Sequence, residues 1–97
     1  MKIREVVIPH EVEEKLIRKH HVFGDEVEEL FENSPHVRLV QKGKIRWQNL
    51  YLALGRSEAG RYLSVFFIEK ENGVAMIVSV RDMDSKERNL YAKIGRE

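Results

Sequence analysis

The spacing of apolar residues changes near residue 36, and the change separates two groups of predicted elements. Before it, "IREVVI" (residues 3–8) has the β-branched content of a short strand, and Pro9 either ends that strand or opens a helix. In "HEVEEKLIRKH", Val12, Leu16 and Ile17 recur at helical spacing, with glutamates early and Arg18, Lys19 and His20 late, as the helix macrodipole favours. A second helix follows after "HHVFG". Asp25 and Glu28 have the spacing of a reciprocal cap, Val27, Leu30 and Phe31 make one apolar stripe, and "NSP" stops it.

From His36 onward the period is that of strands. "HVRLVQK", a turn around Gly43 and "KIRWQNLYLAL" predict a long hairpin, with Trp47, Asn49 and Tyr51 on one face and Gln48, Leu50 and Leu52 on the other. "RYLSVFFIEK" and "VAMIVSVR", joined at "ENG", add two strands. In "DSKERNLYAKI", Asp84 and Glu87 again have cap spacing, and Leu90, Tyr91 and Ile94 form the stripe of a C-terminal helix. The order β-α-α-β-β-β-β-α predicts an α+β fold. Its small antiparallel sheet has four to five strands, two N-terminal helices and a C-terminal helix, with the helices mainly on one sheet face and the other face free for a ligand.

Composition narrows the setting. A length of 97 residues predicts a single domain over 1–97, and 42% hydrophobic with 34% charged residues predicts a folded chain with an ionic surface. The absence of cysteine excludes disulfides and thiolate metal sites. Apolar runs such as "LYLAL" are too short for a membrane span, and the N-terminal stretch lacks the apolar segment of a signal peptide, so a cytoplasmic protein without a membrane partner is expected. The net charge of +1 hides an asymmetry: residues 1–35 carry five Lys/Arg against nine Asp/Glu, and residues 36–97 carry twelve against seven. The second part is therefore the side to search for an anion.

"LGRSEAGRY" (residues 54–62) nearly spells a phosphate loop, but Arg61 and Tyr62 stand where that loop needs Lys and Ser or Thr, and a strand follows. It reads as a hairpin turn in which Gly55 and Gly60 supply permissive backbone conformations, with Arg56 and Arg61 at the strand ends. His10, His20, His21 and His36 share no metal-binding spacing, so neither a metal nor another cofactor is expected. His20 and His21 read either as a polar helix end or as a source of one acid–base group. Ser57, Ser64 and Ser79 lack the local pattern of covalent hydrolases. What remains is a basic and aromatic set, including Lys44, Arg46, Arg56, Arg61, Arg81 and Arg88 with Trp47, Tyr51, Tyr62 and Tyr91, a mixture suited to phosphates and splayed-out bases.

Three stretches in this order, "KHHVFGDEVEELFENSP", "YLALGRSEAGRYLSVFFIEKENG" and "VSVRDMDSKERNLY", resemble the BrnT toxins of bacterial type II toxin–antitoxin pairs, within the RelE-like ribonuclease group. The resemblance covers most of residues 19–91. It implies a metal-independent ribonuclease in which an RNA 2′-hydroxyl attacks the adjacent phosphate. It also implies a DNA-binding antitoxin partner, and a homodimer or a heterotetramer with that antitoxin. Carried onto this chain, Arg81 would stabilise the transition state, Arg61 and Arg56 would meet phosphate, and His20 would transfer a proton. Arg88 and Tyr91, about one helical turn apart, would face the same site, and Lys44 and Arg46 of the basic and aromatic set are further RNA-binding candidates. Two departures remove positive charge: Met76 stands at a usually basic position, and Asp82 and Asp84 follow Arg81 in "DMDS". They favour as an alternative a weak or inactive binding module acting through an antitoxin–DNA complex; a third reading is an unrelated α+β interaction protein whose resemblance is accidental. The acidic first helices are either a solvated face or a surface for a basic antitoxin segment.

Overall fold

The computed structural model describes residues 1–95, so the last two residues of the expected domain lie outside the description. The elements run β1 (Glu5–Val7), α1 (His10–Lys15), α2 (Gly24–Glu32), β2 (His36–Gln41), β3 (Leu50–Arg56), β4 (Tyr62–Lys70), β5 (Val74–Asp82) and α3 (Ser85–Ile94). This is the expected order of an α+β fold. The sheet order is β1-β5-β4-β3-β2, and the β2 to β5 meander is antiparallel. β1 pairs parallel with β5, which makes the sheet mixed. A parallel neighbour requires a long return connection, and here α1, α2 and the first three strands of the meander supply it.

Three local expectations change. The first predicted helix is α only to Lys15; Leu16–His20 form a wider π-helical turn that ends on left-handed His21. Leu16 is buried while Ile17 is turned outward, so the periodicity that predicted an even apolar stripe is broken by that turn. α2 begins at Gly24, two residues too early for Asp25 and Glu28 to cap it. Instead the Phe23 N–H donates to Glu26 Oε1 at 3.1 Å. The long hairpin is shorter than predicted, because residues 42–49 form a loop in which Trp47 sits at φ 66° and Gly43 N–H donates to Asn49 Oδ1.

The main core lies between the sheet and α1–α2. Leu16, Val22, Val27 and Leu30 from the helical layer meet Ala53, Leu63, Val65, Phe67, Ala75, Ile77 and Val80. Each larger side chain there contributes about 1.5–3 kcal/mol through burial. Phe67 is central, edge-on to Phe31 at 5.3 Å and stacked with Tyr51 at 5.6 Å. Gly55 belongs to this packing rather than to a turn: a Cβ there would lie 2.8 Å from Leu30 Cγ, so glycine lets α2 approach the sheet. The helices are not confined to this face. α3 packs on the other one, where Leu90 and Tyr91 meet Leu52, Leu54, Tyr62, Phe66 and Met83.

Candidate functional site

The turn between β3 and β4 and the exposed side of α3 enclose a cleft of about 440 Å³ lined by Arg56, Tyr62, Arg88, Asn89 and Tyr91. Register builds its first wall. Arg56 ends β3 directly opposite Tyr62 at the start of β4, so their side chains share one sheet face. The turn between them is closed by Ser57 N–H to the Arg61 carbonyl at 3.0 Å and Gly60 N–H to the Ser57 carbonyl at 2.9 Å. Gly60 has φ 87°, a conformation that a side chain would strain. α3 supplies the second wall, with Arg88 and Tyr91 about one turn apart. Its start is fixed by the predicted box: Glu87 N–H donates to Asp84 Oδ1 at 2.8 Å, and Asp84 N–H donates to Glu87 Oε1 at 3.0 Å.

The Arg56 and Arg88 guanidinium carbons lie 4.8 and 4.2 Å from the Tyr62 ring centroid, and Tyr91 meets that ring edge-on at 6.0 Å. Neither arginine forms an ion pair among the described residues. Two guanidinium groups lining one cleft and sharing one ring concentrate positive charge that an anion in the cleft would offset. Planar donor forks match phosphate oxygens, and tyrosine faces and edges accept a base.

Arg81 occupies the same sheet face, opposite Ser64 and 5.6 Å from the Phe66 ring centroid, but its charge is engaged. It donates to both Glu87 carboxylate oxygens at 2.6 and 2.8 Å. Hydrogen bonding to Glu87 raises the Arg81 pKa against the opposing effect of burial. Burial pushes Glu87 up, but hydrogen bonds from Arg81 and the Asp84 amide outweigh it and hold its carboxyl below the ordinary value.

Arg61 is a clamp. Nε and one Nη2–H donate to Asp82, the other Nη2–H to the His20 carbonyl, and Nη1 to the His21 carbonyl and Glu26. All five donors are used. The hydrogen bond to Asp82 leads the rise in Arg61 pKa, and the same bond, against burial, lowers that of Asp82. The clamp ties the π-helical turn to the end of β5. No group of three or more His, Asp or Glu side chains suited to a metal ion occurs among the described residues, and no helix there is long and apolar enough to cross a membrane.

The family profile described as "Ribonuclease toxin, BrnT, of type II toxin-antitoxin system" matches residues 10–87. The chain belongs to the BrnT family. A solved structure, the ribonuclease toxin BrnT of Brucella abortus, is similar in fold, with a TM-score of 0.60 at 16% identity over 84% of this chain and 97% of that one. A search of the curated proteins gives no significant match.

Within this BrnT chain the sequence-predicted residues fall into three places. Arg56, Arg88 and Tyr91 meet in the cleft, with Arg81 beside it in its pair with Glu87. Arg61 and His20 lie toward the other sheet face, because Asp82, which binds Arg61, alternates with Arg81 along β5. Lys44 and Arg46 lie in the loop before β3, about 20 Å from the cleft at the usual rise per strand residue. There Arg46 covers the Trp47 ring at 4.7 Å.

Three further residues belong to the site region. Tyr62 holds the two arginines, and Asn89 lines the cleft. His36 pairs with Leu54 and lines an adjoining hollow of about 350 Å³ with Tyr91. A lone histidine after a proline carries no sequence signal of this. Only the β2–β3 register and the side chosen by α3 bring it near.

Proposed function

We propose that this BrnT protein is a metal-independent ribonuclease whose phosphate site is the Arg56–Arg88 cleft. The observation that carries the reading is the convergence of two guanidinium groups, without carboxylate partners among the described residues, on one tyrosine ring. A scissile phosphate would sit between Arg56 and Arg88, with a neighbouring base against Tyr91. The 2′-oxygen forms a bond to phosphorus as the bond to the 5′-oxygen breaks, leaving a 2′,3′-cyclic phosphate and a 5′-hydroxyl. The arginines stabilise the added charge on the phosphoryl oxygens. His36 accepts the 2′-hydroxyl proton, since it lies on the Arg56 face while His20 lies toward the other. A proton must also reach the 5′-oxygen, from water or a hydroxyl in the cleft.

The partner is a DNA-binding antitoxin, and the setting is the cytoplasm. His36→Gln should lower the cleavage rate of a labelled RNA by about a hundredfold, the usual range for a lost acid or base, while His20→Gln stays near the wild type. Equal rates for His36→Gln and wild type would remove His36 from the reaction. A second reading has its own support. Glu87 occupies Arg81 and Asp82 occupies Arg61, so the protein could act chiefly as a binding module; no RNA cleavage with intact antitoxin binding would favour it.

A further inference from the structure

α3 covers only one end of the sheet's second face. Register sets Val7, Met76, Ile68 and Leu50 side by side in one row across β1, β5, β4 and β3. All four are half-buried and belong to neither core cluster. Val78, extruded by the irregularity between Phe66 and Phe67, is 45% exposed nearby. At the usual strand spacing the row is about 14 Å long, the length of two to three helical turns. Met76, paired with both Val7 and Ile68, makes the row continuous.

The charges around this row select its occupant. Arg38 and Lys70 share its face, and Lys42 and Lys44 follow β2 at the sheet end. None of the four forms an ion pair among the described residues. The opposing carboxylates are Glu5, in the Lys70 row, and Glu71 in the following turn. Four aliphatic or thioether side chains offer no stacking platform for RNA. A two-fold pairing of this face would bring the cations of two copies together.

We infer that the uncovered half of this face docks an amphipathic helix with an acidic polar side, supplied by the antitoxin. Its apolar stripe covers the Val7–Leu50 row beside α3, and its carboxylates meet Arg38, Lys70 and Lys42 or Lys44. The inference rests on the toxin–antitoxin pairing and not on the nuclease reading, so absent RNA cleavage leaves it intact.

The test uses the full chain and two labelled synthetic helical peptides with the same leucine stripe, one with glutamates and one with lysines on the polar side. The acidic peptide should bind in fluorescence anisotropy and the basic one should not. Arg38→Glu and Ile68→Lys should each weaken the acidic peptide by about tenfold or more with an unchanged circular dichroism spectrum. Because Arg38 is exposed, its variant keeps the test decisive if Ile68→Lys fails to fold. Equal binding of both peptides, or full binding by Arg38→Glu, would overturn the inference. So would displacement of the acidic peptide by a short RNA, or self-association through this face detected by light scattering.

Discussion

Arg61 shows how a cation beside a glycine turn can be spent inside a protein. Its partners are Glu26, the carbonyls of His20 and His21, and Asp82, all at least 21 positions away. Nothing in "GRSEAGRY" signals them; the fold brings them together. With the Arg61 side chain 27% exposed, solvent screening reduces its ion pairs, but the two carbonyls remain without their donors when it is removed. Arg61→Ala should therefore lower unfolding stability by about 2 kcal/mol, read from the urea midpoint. Arg61→Lys should recover only part of the loss, because a single ammonium cannot reproduce the five-donor fork. A midpoint unchanged by Arg61→Ala would remove the clamp.

At the scale of elements, α3 is weakly held, as is α1: neither contains a buried residue. α3 rests on the half-buried Leu90 and Tyr91 and on the Glu87–Arg81 pair. The pair gives its docking a pH dependence of definite sign. Glu87 is held below its ordinary value of 4.5, so its contribution is complete above that value and disappears as pH falls through the lower folded value. Asp82, below its ordinary 3.8, acts in the same direction over a slightly lower range. Thermal midpoints should fall as pH drops below about 4.5, and Glu87→Gln should flatten part of that slope. A slope identical to the wild type would show that the pair does not link α3 to pH.

The cap of α3 was legible in Asp84 and Glu87 because both halves are local. The side of the sheet chosen by α3 was not, since the sheet is apolar on both faces. The same limit explains β1, whose three residues give no sign of parallel pairing with β5. It also explains Gly55, which local reading assigns to a turn and packing assigns to α2.

Across the whole molecule, the two faces of the sheet are covered differently. α1 and α2 close the main core over one face, and the other carries the arginine–tyrosine cleft at the α3 end and the apolar row beyond it. Strand periodicity and the family motifs made the order of elements legible. They could not sort the arginines, since Arg56, Arg61, Arg81 and Arg88 look equally available along the chain. Only the folded partners distinguish them: Asp82 and Glu26 hold Arg61, Glu87 holds Arg81, and Arg56 and Arg88 share Tyr62. The most direct test of the cleft is single-turnover cleavage of an end-labelled RNA with a metal chelator present, using wild type and the Arg56→Ala/Arg88→Ala double variant. The wild type should produce 2′,3′-cyclic phosphate ends, and the double variant should cut slower by about a hundredfold or more with its fold intact. Cleavage by the folded double variant at the wild-type rate would contradict the assignment.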